Sequence, residues 1–92
     1  MKRPTFDNVF DALYDGEEAR EMKRRAELAA VLERYIEKRN QRDAAKQLGV
    51  SQPRINDLLR GRLHRFSIAA LLMMMDRAEI QIAFKVKFPK AA

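Results

Sequence analysis

The tightest constraint on this chain lies in residues 41–60, where two short apolar patterns are joined by only Gly49, Val50 and Ser51. Ala44, Ala45 and Leu48 share one side of a helix predicted over Gln41–Leu48, and Ile55, Leu58 and Leu59 share one side of a second. Gly49 supplies the left-handed conformation that stops a helix. Ser51 is a natural N-cap for the next one, and Pro53 falls in its first turn, where a missing N–H costs little. Gly61 ends the second helix. Each position has a steric reason: Ala45 has to be small because the second helix crosses above it, and Gly49 has to turn the chain at once. Val50 and Ile55 then lock a crossing angle of about 90–120°.

The flanks read less uniformly. Thr5 caps a short predicted helix over residues 6–13, with Phe6, Val9, Phe10 and Leu13 on one face. Asp15, followed three residues on by Glu18, marks a second start, from which a long helix runs to about Lys38. Its later half places Leu28, Val31, Leu32, Tyr35 and Ile36 on one stripe, where the earlier half carries Glu21, Arg24 and Arg25. The earlier apolar residues, Ala19, Met22 and Ala26, lie elsewhere around the helix, so two packing partners are expected: the chain's own residues 6–13, or another polypeptide. Ser67 caps a last helix with Ile68, Leu71, Leu72 and Met75 on one stripe, and Met73, Met74 and Met75 read as core filler. The period then changes to two. Ile80, Ile82, Phe84, Val86 and Phe88 alternate with Gln81, Ala83, Lys85 and Lys87, predicting a single strand over residues 80–88. A lone strand leaves backbone groups unpaired. It either pairs with its copy in a two-fold homodimer or lies as an extended tail on its own helices.

With 92 residues the chain fits one domain and buries about 60–65% of its unfolded surface, so a monomer is marginal and oligomerisation an ordinary remedy. It has no cysteine, which removes disulfides and cysteine-held metals and suits a reducing compartment. No apolar run approaches the ~20 residues of a membrane span, and the first ten residues lack the block of a secretory signal. A soluble, cytoplasmic domain is expected.

Charge is more informative by place than by total. Of the net +6, residues 1–37 contribute −2 (seven basic, nine acidic) and residues 67–92 contribute +2 (four basic, two acidic). Residues 38–66 contribute +6 from eight basic and two acidic side chains, so the excess sits on the paired short helices and the loop after them. That concentration favours a polyanionic partner.

The segment Gln41-Arg42-Asp43-Ala44-Ala45-Lys46-Gln47-Leu48-Gly49-Val50-Ser51-Gln52-Pro53-Arg54-Ile55, with Leu58-Leu59-Arg60-Gly61-Arg62, resembles the lambda-repressor-like, or XRE, helix-turn-helix family. The resemblance covers about residues 28–77. It implies a mainly α bundle of about five helices, binding to double-stranded DNA, a phosphate-touching role for Gln41 and a base-reading role for Gln52. Asn8-Val9-Phe10-Asp11-Ala12-Leu13 and the final strand look like the HigA-like antitoxins, which repress their own operon and bind a small ribonuclease-type toxin. Two positions depart from that pattern: Tyr14 stands where glycine often follows the leucine, and Ala78-Glu79 replaces the usual glycine before the strand.

The second short helix can also be read from its residues. Gln52, Pro53, Arg54, Asn56 and Asp57 are expected at the outward, early end that enters a major groove. Gln52 carries the donor–acceptor pair suited to adenine, and Arg54 the fork suited to guanine or a phosphate. Asp57 either accepts from a cytosine amino group or holds Arg54 or Arg60. Gln41, Arg42, Ser51, Arg60, Arg62, His64 and Arg65 are candidates for phosphate contacts, which carry no sequence information, and Leu63 and Phe66 for the anchors of the loop. The arrangement predicts an arm over residues 1–18, a DNA-binding domain over 19–79 and a dimerisation strand over 80–88. The arm holds two basic and five acidic side chains beside Phe6, Phe10 and Tyr14. Together with Val9, Leu13 and Met22, those aromatics are the candidate contacts for a basic toxin; the alternative is a stand-alone repressor. One histidine, no cysteine and no phosphate-cradling glycine loop leave no constellation for catalysis. No enzyme activity, metal or cofactor is expected.

Overall fold

The computed structural model describes residues 16–90, and the expected caps Thr5 and Asp15 and the expected helix over 6–13 lie outside them. The described residues form four helices and one 3-10 turn: α1 (Gly16–Glu37), α2 (Gln41–Leu48), α3 (Gln52–Leu59), the 3-10 turn Leu63–Arg65, and α4 (Ile68–Arg77). No helix among them is long and apolar enough to cross a membrane.

The 22-residue α1 opens with Glu17 and Glu18 against the positive end of its dipole and has Arg34 in its last turn. It buries Ala19, Met22, Ala26, Ala29, Leu32 and Ile36. Only the later three belong to the main core, while Ala19, Met22 and Ala26 are buried outside it. Val31, expected on the packing stripe, is exposed, and Ala29 takes its place. The charged residues of the first half pair among themselves, Arg25 with Glu21 at 3.0 Å and Arg24 with Glu27 at 3.2 Å.

Ala29, Leu32 and Ile36 meet Ala44, Ala45, Leu48, Ile55, Leu58, Phe66, Leu71, Met74 and Met75 in one core. Fully burying a leucine- or isoleucine-sized side chain contributes about 1.5–3 kcal/mol each, before entropy is counted. Met74 and Met75 fill this core as expected, but Met73 faces solvent.

Side chains close the amino-terminal ends of α2 to α4. Asn40 Oδ1 accepts from the Asp43 N–H (2.8 Å), Ser51 Oγ from Arg54 (3.3 Å) and Ser67 Oγ from Ala70 (3.0 Å). The carboxy-terminal ends of the same helices share one pattern. The Val50 N–H reaches Ala45 O and that of Gly49 reaches Lys46 O; Arg62 and Gly61 repeat this on Asp57 and Leu58, and Ile80 and Glu79 on Met75 and Asp76. This doubly bonded turn needs a left-handed residue at its penultimate place, normally glycine. Gly49 and Gly61 take it at φ 69° and 73°, but the third is Glu79 at φ 58°. The position that departs from the family pattern thus adopts the glycine conformation without being glycine.

The chain beyond α4 corrects one expectation. No strand forms among the described residues, and those from 81 to 90 are all exposed. Ile80 packs against the core, while Ile82, Phe84, Val86 and Phe88 do not, with Phe84 and Phe88 exposed to 88% and 87%. A strand needs a neighbour to receive its backbone hydrogen bonds, and the described residues offer none. The helices do not bury Phe84, Val86 or Phe88 either.

Candidate nucleic-acid interface

Helix α3 meets the core through Ile55 and Leu58, both fully buried. Leu59, expected on the same inner side, is 37% exposed, in the last turn before the chain breaks off at Gly61. The opposite, early face carries Gln52 and Pro53 in solvent, with Asn56 half-buried beside them. Ser51, whose hydroxyl caps the helix, is exposed, as are Gln41 and Arg42 at the start of α2. Arg60, His64 and Arg65 are exposed and Arg62 is half-buried. One end of α2, the start of α3 and the loop after α3 therefore expose most of the expected candidates.

Asp57 departs from the expectation. Its residue is only 9% exposed, and it turns away from the outward face of α3. One oxygen, Oδ1, accepts from Arg62 Nη1 and from Arg65 Nη1, both at 3.1 Å. Burial pushes this carboxyl up, but the hydrogen bonds and charges of Arg62 and Arg65 outweigh it and hold it below the usual carboxylate value. The carboxylate is thus engaged by two guanidiniums through a single oxygen. The arginines it holds are 62 and 65, not 54 or 60.

Arg54 is also occupied. Its guanidinium carbon stands 4.0 Å over the Phe66 ring centroid, and Nη1 donates to the Arg65 carbonyl at 2.9 Å. Phe66 is buried and Leu63 packs against the core, so both anchor the loop as expected. The fork of Arg54 therefore runs back along α3 to the loop instead of extending forward with Gln52. Local sequence cannot show this, because the ring lies twelve positions away across a helix end and a 3-10 turn.

A second arginine contact also escaped the sequence reading. Arg77, in the last turn of α4, donates from Nη1 to the Gly49 carbonyl at 2.9 Å. A Cβ placed on Gly49 would come within 2.6 Å of Arg77 Cδ, so the glycine serves the close approach as well as the turn. A separation of 28 residues leaves no periodic signal to find it by. Arg39, by contrast, is held locally, with Nη1 donating to Tyr35 O at 2.7 Å and its cation 3.6 Å over the Tyr35 ring.

Of the expected toxin contacts, Phe6, Val9, Phe10, Leu13 and Tyr14 lie outside the described residues. Met22 is 6% exposed, and its sulfur accepts from Arg25 Nη1 at 3.1 Å. Among the described residues, no group of three or more histidine, cysteine or acidic side chains is placed to hold a metal ion.

No curated protein and no solved structure matches the chain. The family of helix-turn-helix domains does, over residues 12–87, most of the chain and all of the interface just described. With two short helices crossing through a glycine turn, a capped second helix and a cationic loop behind it, the chain belongs to the helix-turn-helix domain family, whose members bind DNA.

Proposed function

We propose that the protein is a sequence-specific transcriptional repressor that binds DNA as a homodimer, with the early end of α3 in the major groove. The observation that carries this reading is the exposed face of Gln52 and Pro53 at the capped start of α3, bordered by the cationic residues 60–65. Gln52 reads a base edge, with Pro53 and Asn56 shaping the contact beside it. Gln41, Arg42, Ser51, Arg60, Arg62, His64 and Arg65 bind backbone phosphates, and Arg54 belongs with them because its fork already lies against the loop. Dimerisation runs through the tail, where Ile80, Ile82, Phe84, Val86 and Phe88 from two copies supply each other's missing neighbour. Such a dimer prefers an inverted repeat with half-sites about 34–36 Å apart. The test is Gln52→Ala on a selected inverted repeat. Binding there weakens by about 1–3 kcal/mol and one base position relaxes. Equal weakening on random DNA would refute the assignment.

The acidic arm favours a second role. Residues 1–18 carry five acidic and two basic side chains, which suits a basic protein partner. In this reading the repressor is also an antitoxin, and Phe6, Val9, Phe10, Leu13 and Tyr14 meet a small ribonuclease-type toxin encoded beside it. Removing residues 1–18 then abolishes co-purification with the neighbouring gene's product and leaves operator binding intact. Retained co-purification returns the protein to a stand-alone regulator.

A further inference from the structure

The contacts of Asp57 look self-defeating for a DNA-binding surface. A carboxylate beside the loop that meets phosphates repels the ligand and cancels part of its attraction. Its geometry shows another use. Both hydrogen bonds from Arg62 and Arg65 fall on the single oxygen Oδ1, so one negative charge fixes two positive ones. The arginine side chains remain 39% and 48% exposed. Each guanidinium has five N–H donors and gives one to Asp57. Arg54 adds a third fork, stacked on the buried Phe66 ring and hydrogen-bonded to the Arg65 carbonyl. Arg65 is thereby held at both its side chain and its main chain.

We infer that Asp57 is the positioning residue of a preformed phosphate clamp, in which Arg54, Arg62 and Arg65 are set before DNA arrives. The inference rests on the DNA-binding reading above and deepens it. An unrestrained arginine loses its rotamer freedom when it is fixed on a ligand. A restrained one has lost much of that on folding, and preorganisation of this kind is a main source of affinity at polar interfaces. Three guanidiniums less one carboxylate still leave two net positive charges, enough to hold phosphodiester oxygens on one strand.

The decisive variant is Asp57→Asn, because charge and position predict opposite signs. The exchange raises the net charge from +6 to +7, so charge alone predicts tighter binding to DNA. The clamp predicts binding several-fold weaker, with the slope of log affinity against log salt shallower by about one. The probe is a fluorescent random-sequence duplex of about three helical turns, since phosphate contacts do not depend on sequence. In a background of Arg62→Ala with Arg65→Ala, the same exchange no longer weakens binding, which separates action through the arginines from damage to the fold. Should Asp57→Asn fail to fold, Arg62→Lys with Arg65→Lys keeps every charge and the carboxylate; the clamp requires several-fold weaker binding, and unchanged affinity overturns it. If the wild type binds and Asp57→Asn binds equally or more tightly, the clamp is wrong and the DNA reading stands. If the wild type binds no duplex at any salt concentration, both fall together.

Discussion

Between Asn40 and Phe66 the chain buries Ala44, Ala45, Leu48, Ile55, Leu58 and Phe66, whereas four comparable side chains between Ile82 and Phe88 stand in solvent. The exposed region is the more apolar of the two, with five apolar residues in seven against nine in twenty-seven, so hydrophobicity does not decide which is buried. What separates them is where each finds partners for its backbone. A helix satisfies its interior N–H and C=O groups within itself, so α2 and α3 need only caps, from Asn40, Ser51 and two glycine turns, before they offer side chains to a core. An extended segment has its backbone bonds to give away and cannot bury its side chains until a neighbour takes them. Apolar side chains therefore make a fixed scaffold in one place and an unsatisfied edge in the other.

Leu58→Ala against Phe84→Ala tests that contrast most severely. The first empties a fully buried site and costs about 2–5 kcal/mol in denaturant unfolding of the dilute protein. The second changes stability by less than about 0.5 kcal/mol at dilution, yet it weakens self-association in sedimentation. An equal loss from both at low concentration would break the comparison.

The glycine turns sharpen it further. Gly49→Ala meets Arg77 as well as a left-handed backbone and costs about 2–3 kcal/mol by thermal melting. Gly61→Ala meets open space, so only the backbone cost of about 1–2 kcal/mol applies. The third turn runs the other way: Glu79→Gly relieves a left-handed glutamate and raises stability by about 0.5–1 kcal/mol, after the extra freedom of glycine in the unfolded chain is deducted.

The smallest effect is confined to acid. The carboxyl of Asp57 is held below its usual value in the folded protein, so its contribution is complete above the unfolded value of about 4. It disappears as pH falls from there through the folded value. Melting temperature followed from pH 6 down to about pH 2 should therefore drop less steeply in Asp57→Asn than in the wild type. Between about pH 5 and 8 the two profiles run parallel.

Much of the scaffold was legible because its signals are local. The caps Ser51 and Ser67, the stops Gly49 and Gly61, and the inner positions Ala44, Ala45, Leu48, Ile55 and Leu58 each follow from a residue and its neighbours within four places. The later stripe on α1 was legible in Leu28, Leu32, Tyr35 and Ile36, but it wrongly included Val31 and overlooked Ala29, which its slow rotation around the helix brings inward. Within the candidate interface, the sequence marks which side chains are cationic but not which are already engaged. Asp57 on Arg62 and Arg65, Arg54 on Phe66 and Arg77 on Gly49 are all set by how separate elements come together in space. The tail was legible in its alternation, but alternation alone does not supply a neighbour for its backbone, and no strand forms among the described residues.

Glu79 holds one more consequence. Its turn is closed by two hydrogen bonds, so the tail leaves α4 in a set direction instead of hinging freely. Two residues earlier, Arg77 ties that same helix end to the turn between α2 and α3. In the dimer proposed above, the angle at residue 79 therefore becomes a ruler. It fixes how far apart two copies of α3 are presented, and with that the number of base pairs an operator must place between its half-sites.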